Sequence, residues 1–138
     1  MHKVKKNTLY FFMGATLYPI IELLYRGYTH LSMAFAGGVC VVLINKICCE
    51  ILKTKNLITK AISGGMIITA VEFIIGIFLN LILKLKVWDY SNSPYNLLGQ
   101  ICLPFTLIWT IISIPVIYFC KWFNGIINNK KQEREISI

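Results

Sequence analysis

Four long apolar runs, joined by short polar links, constrain this chain more than any single residue does. A bilayer core about 30 Å thick takes roughly 20 mostly apolar residues per helix. Four segments meet that requirement, at about residues 8–25, 31–52, 58–83 and 100–122. Backbone in lipid must satisfy its own hydrogen bonds, so such runs become helices, and isolated Gly or Pro does not disqualify them. The expected fold class is all-α: a polytopic membrane protein with four transmembrane helices. Residues 1–138 form a single membrane domain, with a polar tail over 124–138 that is frayed or surface-lying. Composition agrees, with 57% hydrophobic and 14% charged residues against about 45–50% and 25% in soluble domains. The basic start "MHKVKK" and the apolar run after it resemble a signal peptide. No small-x-small cleavage site follows, so the run reads as a retained first span.

The formal net charge is +8. On a soluble protein that would point to nucleic acid. Here the basic residues sit at the edges of apolar runs without aromatic interleaving, which excludes nucleic acid and leaves the lipid bilayer as the partner. Lys3, Lys5, Lys6, Lys46, Lys53, Lys55, Lys60, Lys121, Lys130, Lys131 and Arg134 fall on one side, and Arg26, Lys84 and Lys86 on the other. The positive-inside rule makes the first side cytoplasmic. Both termini are then inside a cytoplasmic membrane, and the loop between the third and fourth helices is outside. Trp88, Tyr90 and Tyr95 suit the outer headgroup level and Trp122 the inner one.

Charged side chains at membrane depth cost about 2.5–3.5 kcal/mol each on insertion scales, so those present need a reason. Glu72 lies near the middle of the third helix. Gly65, Thr69, Glu72, Gly76 and Asn80 fall on one narrow stripe at about 100° per residue. That small, polar stripe is expected to face other helices. Gly99, Thr106, Thr110 and Ser113 repeat the device on the fourth helix, where Pro104 and Pro115 are expected to break or bend the ladder. Glu22 and Arg26 stand four apart in the favourable order for a pair. Asp89 lies on the same side of the membrane, so Glu22, Arg26 and Asp89 can form one outer polar cluster around the Arg fork. Two interpretations stay open for these residues. The pair can be structural and Glu72 a protonated packing link, or Glu72, Asn80, Glu22, Arg26 and Asp89 can line a path for a cation, proton or substrate.

The segment "VWDYSNSPYNLLGQICLPF" interrupts the apolar pattern. Ser, Asn and Pro give it turn chemistry. A bare connector has no need of Trp88 and Asp89 beside Tyr90, so the segment is expected to fold back as an ordered outer cap with Asp89 pairing inward. Asn96 is placed to cap the fourth helix.

The same residues carry a family resemblance. "LYPIIELLYRGYTHLSMAFAGGVC", "ITAVEFIIGIFLN" and "VWDYSNSPYNLLGQICLPFTLIW" resemble a family of small bacterial membrane proteins, the ABC-transporter type IV or CmpB-like permeases. The motif residues are Trp88, Asp89, Tyr90, Ser91, Pro94, Asn96, Gly99, Ile101, Cys102, Leu103 and Trp109, with Glu22, Arg26, Gly27, Met33, Gly37, Gly38 and Glu72 before them. The resemblance covers about residues 9–120. It implies a bacterial, permease-like transport component of unspecified substrate. The chain carries no nucleotide-binding loop, so an ATPase would be a separate chain, and four spans call for a homo-oligomer or another membrane subunit.

A non-transport assembly, regulatory or sensing partner of another membrane protein is the competing function, with the cap as docking surface. Enzyme chemistry finds no support. His2 and His30 have no catalytic company, and the five cysteines, Cys40, Cys48, Cys49, Cys102 and Cys120, lack zinc spacing. No cofactor is implied. A holin-like pore former fits the size and basic tail, but not so specific a loop.

Overall fold

The computed structural model describes residues 3–138, Lys3 by its backbone alone. His2 and the Lys3 side chain lie outside the described residues. Helix α1 spans Lys3–Arg26. Helix α2, Leu31–Ile44, runs on through a π-helical stretch, Asn45–Ile51. Helix α3, Leu57–Gly76, likewise continues through a π-helical stretch, Ile77–Ile82. A loop leads to a two-stranded antiparallel hairpin of β1, Asn96–Leu97, and β2, Ile101–Cys102. Helix α4 then spans Leu103–Ile136. The four helical segments Val4–Arg26, Leu31–Ile51, Leu57–Ile82 and Leu103–Ile136 are long and apolar enough to cross a membrane.

Three boundaries differ from expectation, the first being the start of α1, at Lys3 instead of about residue 8. The fourth helix begins at Leu103, because Ile101 and Cys102 are taken into the hairpin. Pro104 therefore falls in the first helical turn, where a missing N–H costs nothing, and it starts the helix where a break was expected. Pro115 lies inside α4, which continues past it. At the far end the polar tail is helical to Ile136. Lys, Gln, Glu and Arg are good helix formers, so polarity there does not end the helix. At 1.5 Å per residue α4 is about 51 Å long, well beyond a 30 Å core.

The helices pair as two hairpins, α1 with α2 and α3 with α4. Small residues let the backbones meet. A Cβ on Gly37 would strike the Gly14 carbonyl oxygen and Tyr18, and one on Gly14 would strike the Gly37 carbonyl. In the second hairpin Gly64 faces Ser113 and Gly65 faces Thr110, while the Thr69 and Thr106 hydroxyls bond at 3.0 Å. The stripes read on α3 and α4 thus face one another. Between the hairpins, contact is made mainly through side chains. Tyr18 stacks on Trp109 nearer the loop end, with ring centroids 5.4 Å apart. Nearer the termini, buried Tyr10 meets Phe123 edge-on and donates to the Cys120 carbonyl at 3.1 Å and to Asn124 Oδ1 at 2.7 Å.

Residues 83–102 cover the bundle end opposite the termini. Buried Trp88 donates from Nε1 to the Gln100 carbonyl at 2.9 Å. Asn80 donates to Gln100 Oε1 and accepts from the Val87 N–H, both at 2.7 Å. Backbone at Lys84, Lys86, Tyr95 and Leu98 takes positive φ, an uncommon conformation for residues with a Cβ. A polar segment can hold that shape because side chains bond its carbonyls and N–H groups.

Candidate functional site

Glu72 projects from α3 into the bundle and is buried. Burying a carboxyl is tolerable only where its oxygens find donors. Tyr18 OH of α1 donates to Oε1 at 2.6 Å, and Trp109 Nε1 of α4 donates to Oε2 at 3.2 Å. The stacking of Tyr18 on Trp109 fixes both donors relative to each other. Met33, Ala36 and Cys40 of α2 belong to the same packed cluster, so all four helices meet around this carboxyl.

One helical turn beyond Tyr18, buried Glu22 accepts from Arg26 Nη2 at 3.0 Å. The pair lines a cavity of about 120 Å³ with Tyr25, Phe105 and Trp109. Ile21, Trp109 and Ile112 also line a second cavity, of about 310 Å³ and almost wholly apolar, which lies between α1 and α4. Tyr90 of the cap stacks on Phe105 at 4.8 Å and is near enough to Arg26 and Glu22 to feel their charge. Its hydroxyl is buried and has no hydrogen-bond partner among the described residues. Burial, with the Glu72 charge second, pushes the Tyr90 phenol well up, so it stays protonated and able to donate.

The five expected path residues are not brought together. Glu22 and Arg26 meet as expected. Asp89 does not join them: it is exposed, and its Oδ1 accepts from the Ser91 N–H at 2.9 Å and from the Ser91 hydroxyl. Those Ser91 bonds hold the Asp89 carboxyl below the usual Asp range. A local turn satisfies Asp89 with less desolvation than burial beside Glu22 would demand. Asn80 is taken up by Gln100 and Val87, and Glu72 by Tyr18 and Trp109. Asn96 does not cap α4, whose N-cap is Cys102 without a side-chain bond. Asn96 instead donates to the Ser91 and Ser93 carbonyls and accepts from the Gly99 N–H, tying the loop to itself.

The other loop residues divide by burial. Trp88, Tyr90 and Gly99 face inward, while Ser91 and Pro94 are exposed in the turn. Gly99 has φ +70° and accepts from the Tyr90 N–H at 2.7 Å. A Cβ there would sit 2.8 Å from both Asp89 Oδ1 and Ser91 Oγ. Sequence reasoning missed Tyr18, Gln100 as the hub of the cap, and His30, which accepts from the Ser32 N–H to cap α2. Tyr18 stands one turn before Glu22 in a helix whose face toward α3 had no other marker.

A family model described as "Putative ABC-transporter type IV" matches residues 9–136. The chain belongs to this family. The match takes in all four helices, the cap and every side chain of the site. The name gives a transporter component and no enzyme class, and the four apolar helices place the family member in a membrane. None of the curated proteins and none of the solved structures matches this chain.

Proposed function

We propose that this ABC-transporter type IV family member is a permease-like membrane subunit that works with a separate ATPase chain. The observation that carries the proposal is a carboxyl at the junction of four helices, with a donor on each oxygen and an ion pair one turn away. Costly groups kept at membrane depth point to a pathway or a binding step. Glu22 and Arg26 face a cavity, and the buried, unbonded Tyr90 hydroxyl feels the charge of both. In this scheme Arg26 and Tyr90 offer donors to a polar substrate group, and Glu72 answers through Tyr18 and Trp109. Asp89 and Asn80 hold the cap, and the remaining motif residues keep its shape. The distribution of basic residues supports cytoplasmic placement of both termini, with the cap outside.

The test is purification of the tagged chain from native membranes in mild detergent, followed by ATPase measurement on the complex in liposomes. A co-purifying ATPase whose rate falls with Glu72→Gln, at unchanged assembly, is the expected result. Isolation with no ATPase would refute the transport assignment. A docking role for another membrane protein draws support from the cap surface, where Tyr95, Leu97 and Leu98 stand exposed. It predicts loss of a co-purifying partner on Tyr95→Ser with the ion pair untouched.

A further inference from the structure

The bundle end opposite the cap holds a cavity of about 430 Å³ with charged and amide residues in its lining. Its walls bring together Lys6 of α1, Lys53 of the turn after α2, Lys60 in the first turn of α3, and Lys121 of α4. Glu50, the one acid among its lining residues, is bound by Lys6 at 3.1 Å. Three lysines therefore share one concavity without a lining carboxylate to answer them. The floor is built rather than incidental. Asn124 accepts from Tyr10 OH at 2.7 Å and donates to buried Asn45 at 2.8 Å, so its amide is fixed from two other helices. The positive end of the α3 dipole lies on the same side.

A preference for basic residues at one membrane face explains how many lysines lie at this end, not where they converge. Lys5, Lys46 and Lys55 satisfy that preference outside the cavity. The four lining lysines come from four separate segments, and Lys53, Lys60 and Lys121 have no carboxylate in the lining to balance their charge. Ammonium groups around a concavity suit phosphate oxygens, each offering three rotatable donors. Depth points the same way, because Lys121 precedes exposed Trp122, a residue typical of headgroup level.

We infer that this cavity binds a phosphate-bearing anion at the membrane surface, supplied by an anionic phospholipid headgroup or by soluble phosphate. The site does not rest on the transport proposal.

The test uses the full chain. Nanodiscs of equal phosphatidylglycerol and phosphatidylcholine are followed by native mass spectrometry of retained lipid, and pyrophosphate is titrated by calorimetry in detergent. Lys60→Gln with Lys121→Gln is expected to weaken phosphatidylglycerol retention or pyrophosphate binding roughly tenfold or more. Lys46→Gln with Lys55→Gln removes the same charge at the same end and should leave binding unchanged. Gly125→Leu keeps every charge and grows into open space, since a Cβ there meets nothing within 4 Å. It should crowd the cavity from the α4 side and weaken binding while the protein remains folded. Retained phosphatidylglycerol without pyrophosphate binding assigns the lipid source, and the reverse assigns the soluble one. Equal loss in both lysine pairs, undiminished binding in Gly125→Leu, or no binding of either probe would overturn the site.

Discussion

Replacing Glu72 by glutamine should leave its two neighbours bonded, whereas replacing it by alanine should strand both. Trp109 Nε1 can only donate, but the Tyr18 hydroxyl can donate or accept. The amide introduced by Glu72→Gln can therefore turn its oxygen to Trp109 and its NH₂ to Tyr18, at the positions where the carboxyl now accepts at 3.2 and 2.6 Å. Alanine offers nothing to either group, and Tyr18 and Trp109 are both buried. A stranded buried donor costs about 1–3 kcal/mol, so Glu72→Ala should lose about 2–6 kcal/mol. The lower part of that range is expected, because helices unfolded within a micelle find other partners. Glu72→Gln should stay within about 1 kcal/mol of the parent. Unfolding by sodium dodecyl sulfate in mixed micelles, followed by far-ultraviolet circular dichroism, measures both. Equal losses for Gln and Ala, or no loss for Ala, would refute the bonding scheme. The stable Gln variant is also what makes a loss of ATPase coupling interpretable.

Gly37→Val should fail to assemble or lose more than about 3 kcal/mol by overpacking, as its Cβ meets the Gly14 backbone; size-exclusion profiles and the same unfolding assay decide it. Asn80→Ala removes a donor from Gln100 and an acceptor from Val87, and should cost about 1–3 kcal/mol and speed proteolysis in residues 83–95. Tyr90→Phe deletes a buried hydroxyl without a partner, so stability should rise by about 1 kcal/mol; a fall would show a bond that the geometry lacks. Asp89 has a depressed folded pKa, so its contribution to the loop is present above the usual Asp value of about 3.9 and is lost as pH falls through the lower folded value. The protection factor of the Ser91 amide, its exchange rate corrected for the intrinsic pH dependence, should stay flat from neutral pH down to that range and then fall, and Asp89→Asn should abolish the change.

The spans were legible because apolar length is the signal a bilayer imposes, and the α3 stripe because helical spacing alone puts Gly65, Thr69, Glu72, Gly76 and Asn80 on one face. The partners of that stripe were harder. Tyr18 looks like any aromatic residue in an apolar run until its hydroxyl is found bonded to Glu72 of α3. Asp89 was misjudged because charge alone suggested attraction to Arg26, while a bond two residues away was available without desolvation. Asn96 was misjudged for a related reason: its amide closes a loop instead of capping a helix six residues on. The end of α4 was hidden because hydropathy detects where lipid stops, and a helix of lysine, glutamate and arginine does not stop there. The basic cavity was invisible because its lysines are dispersed along the chain from residue 6 to residue 121.

The glycine contacts have a consequence for how the molecule is put together. Backbone meets backbone within α1–α2 and within α3–α4, while aromatic and amide side chains span the seam between the two halves. Backbone approach is therefore closest inside each half, and adhesion across the seam combines apolar packing of α2 on α3 and α4 with a few directional links. Such a chain is physically two inserted halves in partnership. Slight rocking of one half against the other would alter Tyr18–Trp109 and Tyr10–Asn124 first, coupling events on opposite membrane faces without unwinding a helix.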